Sequence, residues 1–521
     1  MESYLAEIDR CPFLLIQMDA PQAENTGDFY YRTYAPGIGM ARCEDVYTLN
    51  FTNVHRLKHE LIGKADVLVI NNLCDADILP VIRDRKTAGK ITVYEINDDL
   101  ADIPPSNPNR EFYAQPRNLL LIKRLANYCD ALQFSSCELQ KKYGYLNDIS
   151  VVFPNQMLEI PLGRKRKPSD TVAVGWGGSL GHFQDLQRIS APLINWIMGR
   201  KNIHLHLMCG EPLGSLFDKI PRDRITWVSP GSLQDYYKFV SQLDIGLAPL
   251  EDIPYNRSRS DVKFLEYAAH SVVPVLQAVG PYPVSVRHGE TGFLFNSTDE
   301  LISILERLTF DTSMRSRVAA AAYEYVVRER NQFERGRDRV EFYRRLLTAA
   351  GWKRHPNGLN AEQIFDDLCN CAGAKKSGRN LSLSATRYEL LLTGGLTAMS
   401  DKAAAGRMFQ EAIRINPSLY MPYLFGAYVV DDTIQSLRIA VEKNPRSITS
   451  WLCLGSEYGS KGMSSEAIES FKTAAEIFPE YEQPYIQCGG YLNRIGMTKE
   501  GIDLLKKAMQ VIPEVIRSRE K

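Results

Sequence analysis

The sequence predicts an α/β body of two Rossmann-like parallel sheets in tandem, followed by an all-α repeat domain. Three observations carry this. Before residue 350, short β-branched apolar runs alternate with longer helical stretches, as in parallel sheets covered on both faces. A basic run, Arg164 to Lys167, divides that alternation into two halves. Further on, four segment ends recur: "EAIRINP", "IAVEKNP", "TAAEIFP" and "KAMQVIP".

In the first half, "FLLIQM", "DVLVIN", "ITVYEIND", "ALQFSS" and "SVVFPN" read as buried strands. Helices such as "DILPVIRDRKTAG" and "RNLLLIKRLANYC" lie between them. After the basic run come the strands "TVAVGWGGS", "IHLHLMCG", "RITWVSP", "DIGLAPL" and "VVPVLQAV". Their helices include "HFQDLQRISAPLINWIMG" and "SLQDYYKFVSQL". Helical sequence from Ser313 to Ala350 closes this body, and "GWKRHPNGLN" reads as a joint. The expected domains are 1–165, 166–352 and 361–521. Two such sheets leave a cleft between them, and ligands in such folds sit at the C-terminal ends of the strands.

The recurring ends place prolines at 417, 445, 479 and 513, so two intervals are 34 residues and one is 28. A 34-residue helical period is the mark of tetratricopeptide repeats. The copy ending at Pro479 has Trp451, Leu454, Gly455 and Tyr458, then Ala467, Phe471 and Ala474. Large residues fill the space between two antiparallel helices, small ones let them approach, and Pro stops the second. Residues 361–400 are expected to add another helical pair. Such an array offers a concave surface to a protein partner, or forms a helical cap without a ligand.

Lys plus Arg and Asp plus Glu are 62 each, so whole-chain charge gives no reason to expect nucleic acid or an anionic membrane. The basic run at Arg164 reads as a solvated linker or a phosphate or lipid contact. No apolar stretch approaches the roughly eighteen residues that span a bilayer, and the N-terminus does not read as a secretory signal. Ten scattered cysteines without a Cys-x-x-Cys pair fit reduced thiols, not a metal site. The expected location is cytoplasmic, free or peripheral to a membrane complex.

Two motifs can carry chemistry. "GWGGSLGH" turns from strand to helix and sets Gly177, Gly178, Ser179 and His182 where backbone N–H groups can meet an anion. It equally fits a tight turn requiring positive φ, with His182 as a cap. "NRSRSDVKFLEYAAH" places Arg257 and Arg259 before a helix that Ser260 is expected to cap. Lys263 and Glu266 follow on one face. Such a unit can offer cations to a diphosphate and a carboxylate to ribose hydroxyls, and by spacing alone it equally fits an amphipathic helix with a Lys–Glu pair. Asp98 and Asp99 end a strand of the first half and either orient an acceptor or cap a turn. Tyr31 and Arg32 face the acceptor or belong to a packed loop.

The wider pattern adds Pro274, Val275, Gly289, Gly292 and Leu294 to Lys263, Glu266, Tyr267 and Ala269. Over about residues 170–300 it resembles the nucleotide-sugar half of retaining GT-B glycosyltransferases of family four, the group 1 type. "YYRTYAP", "EINDD" and "FPN" fit the other half of some such enzymes more loosely. The resemblance implies a hexosyltransferase-like enzyme using a UDP- or GDP-sugar, with no other cofactor and no metal. It implies Glu266 on the ribose, and Lys263, Arg257 or Arg259 with the N–H groups near Ser260 on the diphosphate. Gly177, Gly178 and Ser179 would line the cleft, and the base would pack near "WVSPGS". The repeats suggest a protein acceptor, or a partner that brings the enzyme to a protein or glycan acceptor whose hydroxyl Asp98 would orient. Two features depart from the family. Its paired glutamates are separated by seven residues, and Ser258 occupies the first position here. "GGSLGH" replaces the common Arg and Lys. The departures keep two further readings open: a tetratricopeptide scaffold with a degenerate transferase body, and an enzyme of surface-polysaccharide assembly.

Overall fold

The computed structural model describes residues 12–21, 26–105, 107, 109–163, 170–352, 361–430 and 432–517. The basic run from Arg164 to Lys167 and most of the joint after Trp352 lie outside them. The first half holds β1 (Phe13–Asp19), β2 (Val46–Thr52), β3 (Val67–Asn71), β4 (Ile91–Ile96), β5 (Ala131–Phe134) and β6 (Ser150–Val152). The second holds β7 (Val172–Gly177), β8 (Ile203–Met208), β9 (Ile225–Val228), β10 (Ile245–Ala248), β11 (Val273–Gln277) and β12 (Phe293–Phe295). A later hairpin adds β13 (Ala374–Ser377) and β14 (Asn380–Leu383).

The second sheet runs β12-β11-β10-β7-β8-β9, with every pair parallel. The first runs β13-β14-β2-β1-β3-β4-β5-β6 and is parallel except within the hairpin. Continuous apolar runs explain the inner strands: every residue of β1 and β4 is buried. The two-sheet body followed by a helical C-terminal region matches the expected fold class.

Residues 361–400 are a correction. Two helices, Ala361–Cys369 and Arg387–Thr397, are present, but the hairpin lies between them, and β14 pairs β2 with Asn380 opposite Thr48. Gly378 turns the hairpin at φ 59°, a backbone state that suits glycine.

Five helices position the site: α1 (Phe183–Met198), α2 (Leu233–Val240), α3 (Val262–Ala269), α4 (Thr312–Glu329) and α5 (Gln332–Ala349). Ser232 and Asp235 form a capping box that starts α2. α5 crosses back to the first sheet, where Phe342, Tyr343, Leu346 and Leu347 join Phe13 and Val46 in one core. Its Gly336 passes so close to Gly39 that a Cβ there would lie 2.5 Å from the Gly39 carbonyl carbon.

The C-terminal helices pack in antiparallel pairs, such as Ile448–Ser460 with Ser464–Ile477. They are fastened to the first sheet's helices. Asp77 accepts hydrogen bonds from the Tyr420 hydroxyl at 3.1 Å, the Ser447 hydroxyl at 2.7 Å and the Thr449 N–H at 2.9 Å. Arg124 pairs with Glu482 at 2.9 Å, with both side chains buried. Removing one member of such a pair strands the other, at a cost of roughly 3–5 kcal/mol. Arg124→Ala is therefore expected to lower the urea midpoint of the intact chain clearly, whereas Arg414→Ala, on an exposed helix face, should leave it nearly unchanged.

Candidate functional site

The C-terminal edges of the two sheets face each other, and α3 lies between them. Val262, Phe264, Leu265, Tyr267 and Ala268 bind α3 into the second domain's core. That packing turns Glu266 inward, where it is 3% exposed. Its Oε1 accepts from the Tyr31 hydroxyl at 3.0 Å. Its Oε2 accepts from the Tyr236 hydroxyl at 2.9 Å and from Lys263 Nζ at 3.1 Å. Lys263 also donates to the Tyr236 oxygen at 2.6 Å. The carboxylate is thus held by both domains and keeps about one of its four acceptor positions free.

Tyr31 comes from the first domain, in a π turn (Tyr30–Tyr34) that interrupts the helical stretch from Gly27 to Met40. Of the two readings open for it, acceptor-facing or part of a packed loop, the second fits its burial: its hydroxyl meets Glu266 and stands 2.9 Å from the Tyr237 hydroxyl. Ser260 does not cap α3. Asp261 takes the N-cap position, and its carboxylate holds Ser285 and Arg330.

The preceding arginines separate. Arg257 turns outward to Asp252 at 2.6 Å, with both side chains more than half exposed. Arg259 points into the cleft over the Tyr255 ring, and its side chain has no hydrogen bond or ion pair among the described residues. Ser258, where the resemblance has a glutamate, is 5% exposed and donates to the Pro254 carbonyl, while its own carbonyl accepts from Ser136.

Gly177 and Gly178 end β7 without positive φ, so a strained turn is not their reason. A Cβ on Gly178 would lie 2.6 Å from the Trp176 ring, and one on Gly177 would lie 2.9 Å from Tyr236. His182 precedes α1 with Nδ1 2.8 Å from Asp185. Burial, then the nearby Arg259, lowers its pKa to about 4, so the ring is neutral near pH 7.

On the first domain's side, Asp99 is fully buried and held by Lys142 and the Tyr143 hydroxyl. That is a structural role. Asp98 accepts from the Tyr255 hydroxyl at 2.8 Å; burial raises its pKa, opposed by Arg259. Arg32 is 1% exposed, paired with Glu95, and donates to Asn155 at 2.6 Å and to the Phe153 carbonyl at 2.7 Å. The carboxylate that does face the cleft is Asp28. It is open to solvent but set in the cleft wall, where desolvation, then Asp98 and Asp19, raises its pKa to about 6.

Two connected chambers result. One of about 400 Å³ is lined by Asp28, Ser179, His182, Arg259, Lys263 and Glu266, with Tyr31, Arg32, Gly178 and Ser260 also in its wall. The other, about 1030 Å³, shares Ser179, Lys263 and Glu266 and extends past Gly231 and Tyr236 to Lys375 and Ser382. Asp28, Tyr236 and the hairpin residues are not in the sequence motifs. Among the described residues there is no group of three or more His, Cys, Asp or Glu side chains placed to hold a metal ion, and no helix is long and apolar enough to cross a membrane.

No protein-family model and no curated protein matches the chain. Among solved structures, Anabaena HepE in complex with UDP-glucose is similar at 16% identity over 63% of this chain and 99% of that one, with a TM-score of 0.48. Sucrose-phosphate synthase from Thermosynechococcus elongatus is similar at 15% identity over 65% and 100%, with a TM-score of 0.47. An O-GlcNAc transferase mutant from Thermobaculum terrenum is similar at 15% identity over 66% and 69%, with a TM-score of 0.44. At this distance likeness says nothing of substrate, and function is to be read from the chain's own residues.

The His182 ring gives a direct check. Its pKa is lower in the folded chain than the ordinary 6.5, so its contribution to stability is complete above about pH 6.5 and is lost as pH falls toward 4. Histidine NMR of the intact protein should give this ring a midpoint near 4; a midpoint near 6.5 contradicts the burial and the Arg259 contact.

Proposed function

We infer that the chain is a GT-B glycosyltransferase that moves a sugar from a UDP- or GDP-linked donor to an acceptor hydroxyl, with retention and without a metal ion. One observation carries this reading: Lys263, the unpaired Arg259 and the buried Glu266 wall one chamber with Ser179, between the facing edges of two Rossmann-like sheets. Two cations in a partly enclosed chamber suit a departing diphosphate and take the place of a metal. Glu266 suits the ribose, which would exchange with Tyr31 or Tyr236 for its oxygens. The leaving phosphate then helps to take the acceptor's proton. Asp28, which faces the chamber where Asp98 does not, orients the acceptor hydroxyl. Positioning and phosphate stabilisation supply most of the rate. The C-terminal repeats recruit a protein acceptor or partner, and a groove of about 910 Å³ beside Trp451 and Tyr458 offers the surface.

A second reading has its own support. Glu266 is already bonded to three protein donors, and Ser258 faces away from the chamber. A scaffold that kept the fold but lost turnover would also look this way.

A donor-hydrolysis screen across UDP- and GDP-sugars separates the two. Glu266→Ala is expected to lower kcat/KM at least about 100-fold, or about 2.7 kcal/mol, and Arg257→Ala less than about threefold. Excess EDTA should leave the rate unchanged. If neither UDP nor GDP binds and Glu266→Ala changes nothing, the scaffold reading stands.

Asp28 sets a pH dependence. Its raised pKa means that it ionises only above about 6, so transfer should rise with pH through that value. Asp28→Asn should remove the inflection and lower the rate about 10- to 100-fold; an unchanged profile would assign the acceptor side to another group.

A further inference from the structure

A third cavity, about 730 Å³, lies at the hinge between the two sheets. Its walls come from the loops after β5 and β6, the segment before α3, the loop after β11, and α4 and α5. Of its lining residues, only Ser135, Arg259 and Ser260 also border the 400 Å³ chamber, and Lys263 and Glu266 do not reach it. Seven arginines line it against four carboxylates. Most of the arginines are answered: Arg330 by Asp261, Arg335 by Glu329, Arg257 by Asp252 and Arg287 by Glu290.

Arg339 is not answered by a carboxylate. It is 4% exposed, and its guanidinium lies 4.5 Å over the Phe153 ring. Tyr343 serves part of it and Glu95 favours its charge, but among the described residues Nη1 has no hydrogen-bond partner, and Arg32, of the same charge, is close enough to oppose it. A buried guanidinium left partly unpaired is costly unless an anion completes it. One more lining side chain carries an unsatisfied polar atom. Gln156 is 8% exposed, and its Oε1 has no partner among the described residues. Arginines select phosphate oxygens through paired N–H groups, while amides suit hydroxyls that both donate and accept.

The geometry points to a second ligand site in this cavity, for a small phosphorylated polyol of the hexose phosphate class, which acts as an effector by bridging the two sheets at their hinge. Arg339 holds the phosphate, and Arg335, one turn before it on α5, reaches it by exchanging its half-exposed pair with Glu329. Gln156 meets the hydroxyls. The ligand touches both domains, so its binding favours one hinge arrangement and changes donor affinity by linkage. Binding itself does not depend on the transferase reading.

The test is calorimetric titration of the full chain with glucose 6-phosphate, alone and with UDP in excess. Glucose 6-phosphate is expected to bind in both cases, and glucose is not. Arg339→Gln should weaken binding at least about 20-fold. A buried variant can misfold, so Arg335→Ala, on the more exposed side, provides a second check, with about fivefold weakening expected. Glu266→Ala should lose UDP binding yet still bind glucose 6-phosphate, which separates failure of this site from failure of the donor site. No binding, equal binding of glucose, displacement by UDP, or transfer of a sugar onto the hexose phosphate would each overturn the assignment.

Discussion

One buried guanidinium governs how the two halves meet. Arg330, just beyond α4, is 6% exposed. It clasps both oxygens of Asp261, at 2.6 and 2.9 Å, and donates to the Asn155 carbonyl at 2.7 Å. Asp261 heads α3, and Asn155 lies in the crossover between the sheets. The same side chain therefore sets α3 in register with the first domain. Its charge is fully answered, so it fixes geometry without leaving a stranded ion. Lys263 and Glu266 inherit their placement from it.

The Glu266 cluster follows from that register. Its oxygens are reached by Tyr236 and Lys263 from their own domain and by Tyr31 from the other. Hinge opening would remove the Tyr31 hydroxyl first and return an acceptor position to the carboxylate. A group bonded from both sides is therefore sensitive to how far the domains stand apart. That sensitivity gives a two-sheet body a means to couple closure to ligand contact.

The strands of both sheets were legible because inner parallel strands are continuous apolar runs with β-branched residues, and no helix of that length reads so. β2 was not, because Thr48 and Asn50 interrupt it, nor was β12, which is only three residues long. The partners of Thr48 and Asn50 lie far along the chain: Thr48 donates to the Asn380 side chain at 2.8 Å, and Asn50 Nδ2 to the Ser382 hydroxyl at 3.3 Å. The hairpin was missed for a related reason. β13 is an edge strand of Lys and Ser, polar because it faces solvent, and it carries no apolar alternation. In the site, Lys263 and Glu266 were readable because they share one short helix. Asp28 and Tyr236 were not, because three separate segments of chain bring them to the chamber. Ser260 was misread as a cap because its neighbour Asp261 takes that position while serving Arg330.

The hairpin also bears on how the molecule is made. β14 pairs with β2 across more than three hundred residues, with Asn380 opposite Thr48. A ribosome must therefore complete both sheets' sequence and part of the C-terminal region before β2 gains its outer neighbour. Until then β2 is an open edge, a template for pairing with another nascent chain. The late hairpin thus closes the first sheet in time as well as in space. The first domain is thus synthesised before the second yet finished after it, an order that puts a demand on chaperones during translation.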